Sequence, residues 1–147
     1  VAQSLRLRAG DRIVLFDGSG PEYPAELLEV SKSRVRALPG EPRHTGTESP
    51  VDITIWQGLS RGTRMDYVMQ KSTELGARRI TPMLTSRCVV KLDSKRAEKR
   101  LLHWQNIAIS AAEQSGRCAI PEISLPTDFA ELMQNAITDA RKIIFHT

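Results

Sequence analysis

Several residue types that build common functional sites are scarce in this sequence. The 147 residues include two cysteines and three histidines, which are scattered and lack the ligand spacing of a zinc site. No apolar run approaches the ~20 residues that a bilayer-spanning helix needs. The first residues, VAQSLRLRAG, lack the apolar core and the cleavage site of a secretory signal peptide. These absences predict a cytoplasmic protein with reduced thiols, no metal and no membrane segment.

Catalytic motifs of fixed pattern are also missing. The chain has no P-loop, no GxGxxG fingerprint, no HExxH pair and no GxSxG nucleophile elbow. No glycine follows Gly116, so the last part of the sequence has no glycine loop through which the backbone could approach a nucleoside closely. The motifs of the commonest nucleotide-binding and hydrolytic sites are therefore absent.

Positive charge is concentrated in one part of the chain. Residues 1–50 carry seven basic and seven acidic side chains, whereas residues 61–100 carry eleven basic and four acidic ones, a net charge of +7. This excess could be a solvated helix face, or it could be a surface that binds a polyanion by displacing counterions from phosphates. Charge alone leaves both interpretations open.

The first part of the chain predicts short β-strands. Arg12–Asp17 and Arg34–Leu38 have the β-prone or alternating pattern of strands. Tyr23–Val30 is a third candidate, although Ala25–Glu29 within it also fits a helix. Hairpins of this length need a partner that buries their apolar face, so we predict a small β-barrel or a part of one.

A linker separates this part from the rest. Residues 39–50 contain three prolines and two glycines, which makes them the best linker candidate in the chain. We therefore predict one domain at residues 1–48 and a second domain at residues 49–147.

The second part alternates strand and helix patterns, which is typical of a mainly parallel sheet with helices on its faces. Val51–Trp56 and Ile80–Leu84 are its first two predicted strands. Proline cannot donate a hydrogen bond to a neighbouring strand, so Pro82 favours an edge position or a bulge for the second one. A last strand is predicted at Lys142–His146, where the printed sequence ends.

Three helices are predicted between these strands. The first is capped by Gly62 or Thr63 and followed by Gly76 as a left-handed cap. Its apolar stripe consists of Met65, Val68, Met69, Ser72 and Leu75. The second is capped by Ser94, runs to Ser115 and ends at Gly116, and the third is capped by Thr127.

Charged side chains follow the predicted strands, where open α/β sheets bind their ligands. Arg61 follows the first strand, Arg87 follows the second, and His146 ends the last one. Two of them have an alternative interpretation, because Arg87 could be a turn residue and His146 a packed histidine at a strand end.

Polar side chains also lie near the C-terminal ends of the first two helices. Lys71 and Glu74 are one turn apart and fit either a surface ion pair or a binding site. Arg117 could simply bind the last carbonyls of the second helix. Glu113 and Gln114 precede it, and a glutamate is electrostatically unfavourable at a helix C-terminus, which favours a functional reason for its presence.

Short motifs along the chain are specific through their order and spacing. They are Phe16-Asp-Gly18, Gln70-Lys-Ser-Thr-Glu-Leu-Gly76, Thr81-Pro82, Ser86-Arg-Cys88 with Lys91-Leu92, and Ala112-Glu-Gln-Ser-Gly-Arg117 followed by Pro121. Together they resemble the RsmE-type rRNA uridine methyltransferases, a branch of the knotted SPOUT methyltransferases, over nearly the whole chain.

The resemblance implies a fold, a reaction and partners. The fold is α/β, with a PUA-like β-barrel that helps to hold RNA, followed by a SPOUT domain with a trefoil knot. The reaction is methylation of N3 of a uridine in bacterial small-subunit (16S) rRNA, with S-adenosylmethionine as the cofactor. The partners are that rRNA or the assembled small subunit, and a second copy of the protein in a homodimer.

The resemblance also implies site residues. Catalytic roles fall to Arg87, Glu113 and Arg117. An arginine would stabilise the uracil anion, and Glu113 or Glu74 would accept the N3 proton. The RNA-binding residues implied are Arg61, Arg64, Lys71, Glu74, Gln114 and Lys91. His146 is the implied cofactor-binding residue.

The sequence departs from the family in its cofactor loops. The family's Gly-Pro-Glu-Gly-Gly motif and its later Leu-Gly and Arg-Thr-Glu segments are absent, as is the first barrel strand. We therefore expect a piece of a longer protein with an incomplete knot. Two alternatives stay open: another SPOUT enzyme acting on tRNA or on a different rRNA base, and a non-catalytic RNA-binding module.

Overall fold

The computed structural model of the chain describes residues 6–86, 88, 93–135 and 140–145. Its elements in chain order are β1 (Arg12–Phe16), β2 (Glu22–Val30), β3 (Val35–Pro39), β4 (Thr54–Gly58), α1 (Arg64–Glu74), β5 (Arg79–Leu84), α2 (Ser94–Ser115), β6 (Glu122–Ile123), β7 (Thr127–Asp128) and α3 (Phe129–Gln134). An all-β unit is followed by an alternating strand and helix unit, which confirms the predicted α/β class.

The N-terminal sheet is antiparallel and has the order β1-β2-β3. Ala25 and Leu27 are buried and alternate with exposed residues, so one face of β2 packs inward. The segment Ala25–Glu29, which also fitted a helix, is therefore a strand. All three predicted strands of this part are confirmed, within one or two residues at their ends.

The second sheet is parallel throughout. Its order is β4-β5-β6, and β7 pairs with β5 further along the same side as β6. The prediction that Pro82 favours an edge position or a bulge is wrong, because β5 lies at the centre of the described sheet and keeps an unshifted register with β4. β6 pairs with Arg79 and Ile80, and β7 pairs with Met83 and Leu84. Pro82 thus falls in the gap between β6 and β7, where neither strand pairs with it.

The start of β4 was predicted three residues too early. The structure begins this strand at Thr54, after three exposed residues. Just before the strand, the Ile53 carbonyl oxygen accepts hydrogen bonds from the backbone N–H of Arg78, in the turn before β5, and from that of Arg79, the first residue of β5. The apolar run alone did not indicate where the parallel pairing begins.

Helix α1 buries Met65, Met69, Ser72 and Thr73 against α2 and the sheet. Gly76 has φ +93°, the left-handed conformation predicted for it. Leu75, predicted to be part of the buried stripe, is 78% exposed because the helix ends at Glu74 and the chain turns there.

Helix α2 carries the largest buried side chain of the domain. Trp104 and Ala108 pack against Met65, Met69 and Ile80, which joins both helices to the central strand. The cap is Asp93 rather than the predicted Ser94, since the Asp93 carboxylate accepts a hydrogen bond of 2.8 Å from the Arg96 N–H. Gly116 ends the helix with φ +72°, as predicted.

The C-terminal part differs from the prediction in two respects. Thr127 lies in β7, and the residue before α3 is Asp128. Residues 142–145 are exposed and do not form the predicted strand, because no described strand pairs with them. Among the described residues no helix is both long and apolar enough to cross a membrane.

Candidate RNA-binding and catalytic site

The predicted site residues are divided between the two ends of the parallel sheet. We call the end at which β4 and β5 finish the carboxyl edge, and the end at which they start the amino edge. Arg61 and Arg64 follow β4 and are exposed at the carboxyl edge. Helices α1 and α2 run back from that edge, so their C-terminal residues Lys71, Glu74, Glu113, Gln114 and Arg117 lie at the amino edge.

At the carboxyl edge, the segments that follow β4 and β5 are held together. The Leu59 N–H donates to the Met83 carbonyl at 2.9 Å, and the Cys88 Sγ lies 3.7 Å from the Leu59 carbonyl oxygen. Arg61 and Arg64 extend from this region toward solvent. Arg87, Lys91 and His146, which were predicted to have catalytic, RNA-binding and cofactor-binding roles respectively, lie outside the described residues.

Lys71 and Glu74 form an ion pair, which was one of the two interpretations of their spacing. The Lys71 Nζ lies 2.7 Å from the Glu74 Oε2, and the Gln70 side chain donates to Glu74 Oε1 at 2.9 Å. The hydrogen bonds from Lys71 and Gln70 lower the pKa of Glu74, and the bond to Glu74 raises the pKa of Lys71. Glu74 is therefore a weaker proton acceptor than an isolated glutamate.

Lys71 has a second neighbour on α1. Its Nζ lies 6.0 Å from the centre of the Tyr67 ring, which is exposed. A cation and an aromatic face thus occupy one surface of α1 beside the Gln70–Glu74 hydrogen bond. This surface can offer an ammonium group, an amide and a ring to a ligand.

Arg117 is buried, and its side chain binds carbonyls at the end of α1 and beyond it, whereas one interpretation was that it binds the last carbonyls of α2. It is 5% exposed. Its Nη1 donates to the carbonyl oxygen of Thr73 at 2.6 Å, at the C-terminal end of α1, and to that of Ala77 at 3.1 Å, in the turn before β5. Its Nε and Nη2 donate to the Glu48 carboxylate at 3.1 and 2.6 Å. All three guanidinium nitrogens are engaged inside the protein.

Glu48 is a residue that sequence reasoning missed. Its Oε1 accepts hydrogen bonds from the backbone N–H groups of Cys118 at 3.2 Å and Ala119 at 3.1 Å. Burial of the carboxyl raises its pKa, but the bonds from Arg117, Ala119 and Cys118 outweigh burial, so the pKa lies below its ordinary value. The only sequence signal was an acidic residue at the end of the linker, because its partners lie about 70 residues away.

Glu113 and Gln114 occupy the exposed last turn of α2, directly before the buried Arg117. They are accessible to a ligand that approaches the amino edge. The structure thus gives neighbouring motif residues different environments: Arg117 is internal, whereas Glu113 and Gln114 face outward.

The N-terminal sheet contacts the amino edge at the same place. The Ile120 N–H donates to the Gly18 carbonyl at 3.0 Å, and Gly18 and Ser19 each pair with Ala119 in a single backbone bridge. A Cβ atom at Gly18 would lie 2.7 Å from the Ile120 Cδ1, and the φ of Gly18 is +89°. Only glycine fits this contact without rearrangement.

A cleft between α1 and α2 lies away from this junction. It has a volume of about 200 Å³ and is lined by Gly62, Met65, Asp66, Arg100, His103 and Trp104. His103 Nε2 lies 3.1 Å from Asp66 Oδ2 at its rim. Pockets for cofactor-sized ligands usually enclose about 300–1,000 Å³, so this cleft does not fit S-adenosylmethionine.

Two sequence profiles of RNA methyltransferases match the chain. The profile of the RNA methyltransferase domain matches residues 47–147, and the profile of the RNA methyltransferase PUA domain matches residues 1–39. The order of the two matches is the order of the two sheets described above.

Individual relatives agree with these profiles. Ribosomal RNA small subunit methyltransferase E of Bacillus subtilis is 37% identical over 134 residues, which are 91% of this chain and 52% of the relative. The homologue of Buchnera aphidicola subsp. Schizaphis graminum is 29% identical over 145 residues, covering 99% of this chain and 59% of its own. The chain thus spans about half the length of the curated relatives that it matches.

Solved structures with the same fold include two with bound cofactor. Ribosomal RNA small subunit methyltransferase E of Neisseria gonorrhoeae, bound to S-adenosylmethionine, superposes with a TM-score of 0.86 at 40% identity, over 93% of this chain and 56% of that one. A methyltransferase of Legionella pneumophila in complex with the same cofactor gives a TM-score of 0.85 at 39% identity, over 92% and 56% of the two chains. Because the domain profile matches more than half of the chain and these relatives agree with it, the chain belongs to the RsmE-type RNA methyltransferase family.

Proposed function

We propose that the protein containing this chain transfers a methyl group from S-adenosylmethionine to N3 of a uridine in the rRNA of the small ribosomal subunit. The observation that carries the proposal is the match of both units, in one order, to RNA methyltransferase profiles and to a structure of rRNA small subunit methyltransferase E solved with that cofactor. The N3 position follows from the motif resemblance.

The reaction requires the loss of a proton from uridine N3, which is a poor nucleophile while protonated. A proton acceptor must therefore reach N3, and cationic groups near the uracil oxygens would stabilise the anion that forms. Bound S-adenosylmethionine would supply an already activated methyl group. The protein must hold the uracil ring, the proton acceptor and the cation in the positions that the transfer requires.

We assign the proton acceptor to Glu113. It is exposed at the amino edge. Glu74, the other candidate, is held by hydrogen bonds from Lys71 and Gln70 that lower its pKa and make it a weaker base. Arg87 keeps its proposed role as the cation beside the uracil oxygens, and because it follows β5 while Glu113 lies at the amino edge, the two would act on one uracil across the proposed homodimer. Arg117 is better suited to position the α2 terminus than to contact the substrate, since its donors bind Glu48 and backbone carbonyls.

RNA binding is proposed for the exposed charges of α1 and α2. Arg61 and Arg64 lie before α1 and in its first turn, and Lys95 and Lys99 are exposed in the first part of α2. Because these cations are exposed and are not held in a buried salt bridge, they can neutralise phosphates. Lys71, Glu74 and Gln114 would contact the RNA at the amino edge. Lys91 would add to the basic surface formed by Arg61, Arg64, Lys95 and Lys99.

The partners implied by the resemblance complete the proposal. They are the small-subunit rRNA, free or assembled, and a second copy of the protein in a homodimer. The proposed location is the cytoplasm, where ribosomal subunits are assembled. The N-terminal unit would serve as the RNA-holding PUA-like domain that its profile match describes.

The test is a comparison of rRNA from a strain with the gene and a strain without it. Mass spectrometry of small-subunit rRNA nucleosides should show the loss of one N3-methyluridine, and a plasmid copy of the gene should restore it. Bulk tRNA from the same strains serves as the control and should not change. An unchanged rRNA with an altered tRNA would identify a different SPOUT activity, and two unchanged profiles would indicate a non-catalytic module.

A further inference from the structure

Glu48 and Arg117 are the centre of a hydrogen-bond cluster that joins four segments of the chain. The cluster, which we call the clasp, consists of the Glu48 carboxylate, the Arg117 guanidinium, the carbonyls of Thr73 and Ala77, and the N–H groups of Cys118 and Ala119. It connects the linker, the C-terminal end of α1, the turn before β5 and the segment after α2. Each bond in it has a charged donor or acceptor, which makes such bonds stronger than neutral ones.

The clasp adjoins a backbone contact between the turn that joins β1 to β2 and the second unit. Ala119, which donates to Glu48, also pairs with Gly18 and Ser19. The next residue, Ile120, donates its N–H to the Gly18 carbonyl. The short segment after α2 therefore contacts both the Glu48 carboxylate and the turn between β1 and β2.

The linker is fixed to the N-terminal sheet at its other end. Glu22 and Arg43 exchange two backbone hydrogen bonds of 2.8 and 2.9 Å, and the Gly40 N–H donates to the Pro24 carbonyl at 2.7 Å. Residues 40–43 thus extend the sheet, and Glu48 follows only five residues later. Because both ends of this short connection are attached, the bond of Glu48 to the clasp restricts how the N-terminal sheet can rotate.

A second ion pair near the start of the parallel sheet provides a comparison. Arg79 donates to the Asp52 carboxylate at 2.9 Å, but these side chains are 37% and 53% exposed. The Arg117 and Glu48 side chains are 6% and 24% exposed. Removal of Asp52 leaves a solvated arginine, whereas removal of Glu48 leaves a buried one with two unmet backbone donors beside it.

We propose that Glu48 is a positioning residue: through Arg117 it fixes the N-terminal PUA-like unit against the amino edge, so that RNA held by that unit meets Glu113 and Gln114 in one orientation. The inference rests on the proposed function for its consequence in catalysis. Its structural part, that Glu48 controls the contact between the two units, stands independently of any activity.

Hydrogen exchange in the full-length protein tests the structural part. In Glu48→Ala, the Ile120 amide should exchange about tenfold faster or more, since the variant lacks the charge-assisted bonds that hold its segment. The Leu59 amide, which donates to Met83 in the sheet, should accelerate only by the loss of global stability, so the Ile120 rate is compared with it. Asp52→Asn is the matched control and should leave both amides unaffected. Glu48→Gln, which keeps the side-chain shape, decides the question if the alanine variant does not fold.

Two exchange results would overturn the proposal. Faster exchange of Cys118 and Ala119 with an unchanged Ile120 would mean that Glu48 only satisfies its own donors. An acceleration of Ile120 no greater than that of Leu59 would mean that the clasp contributes to global stability only and does not control the contact between the units.

Kinetics on small ribosomal subunits test the consequence. For Glu48→Gln we expect a KM for the subunit raised about tenfold, a kcat within about twofold and an unchanged Kd for S-adenosylmethionine, because RNA presentation is altered and the cofactor site is not. An unchanged KM alongside faster Ile120 exchange would overturn the link to RNA presentation. A wild-type enzyme with no methylation of the subunit would instead refute the proposed function, and the exchange result would still stand.

Discussion

The Nη2 atom of Arg117 lies 2.6 Å from the Oε2 atom of Glu48, although 69 positions of sequence separate the two residues. The pair is mostly buried and carries the bonds that attach the linker to the end of α1, the turn before β5 and the segment after α2. This relationship changes what is expected of Arg117, and the first two predictions depend on it.

Arg117→Ala should destabilise the protein by about 3 kcal/mol, since removal of one partner leaves the buried Glu48 carboxylate and two carbonyls without their donor. Denaturant unfolding of the full-length protein measures this. Asp52→Ala, which breaks an exposed pair with Arg79, is the control and should cost no more than about 1 kcal/mol. An Arg117 variant as stable as this control would contradict the buried geometry.

The stability difference between the wild type and Glu48→Gln should depend on pH. Because the folded pKa of Glu48 is lowered, its contribution is present above the unfolded pKa of about 4.3 and disappears as pH falls through the folded pKa. Unfolding free energies measured from pH 7 to pH 3 should show the wild type losing its advantage at the acidic end. Two curves that stay parallel over this range would show that the carboxylate is not stabilised in the folded state.

Glu113→Gln should reduce methyl transfer about 10²-fold or more and leave the Tm nearly unchanged. The residue is exposed, so the stability cost should be within ~0.5 kcal/mol, whereas loss of a proton acceptor costs about 10²–10⁴ in rate. Single-turnover assays on small subunits with the full-length enzyme are the measurement. Glu98→Gln on the exposed first part of α2 is the matched control, and equal activity of both variants would remove Glu113 from the reaction.

RNA affinity should fall with salt through the basic surface of α2. Replacing Lys95 and Lys99 by glutamate should weaken binding and make the slope of log K against log salt less negative, by about 0.7–0.9 for each phosphate that the variant no longer neutralises. Filter binding or fluorescence anisotropy at several salt concentrations provides the slopes. The control replaces the same lysines by arginine and should keep the slope. Identical slopes for the wild type and both variants would show that these lysines do not neutralise RNA phosphates and only form a solvated helix face.

A polypeptide limited to residues 1–147 should bind S-adenosylmethionine at least about tenfold more weakly than the full-length protein. No glycine follows Gly116, and the cleft of about 200 Å³ between α1 and α2 is smaller than the about 300–1,000 Å³ of typical cofactor pockets. Calorimetry on both proteins gives the two affinities. Matching values would place the cofactor site within these residues.

Local sequence patterns predicted many elements of the fold correctly. Gly116 ends α2 in the left-handed conformation, and the pair Lys71–Glu74 forms at one-turn spacing. Both depend on interactions within one helical turn, so their sequence signals are nearly complete. Boundaries that depend on other segments were less accurate, as at the start of β4 and at the cap of α2.

Central positions in the sheet were harder to predict. Pro82 disfavours pairing on one side of a strand, which is a sound reason to expect an edge. The structure instead places two short strands, β6 and β7, on either side of the proline along β5. Nothing near Pro82 in the sequence indicates that two later segments will divide the pairing in this way.

The sequence by itself determined the family, the order of the two units and the residue types available at the helix ends, because these depend on motifs and on periodicity within single elements. Only the tertiary structure decided which of those residues are exposed and which are joined. The parallel topology returns α1 and α2 to the same edge, and this brings Arg117 to Thr73, Ala77 and Glu48. Contacts between residues so far apart in sequence arise from strand order and packing, which no local pattern encodes.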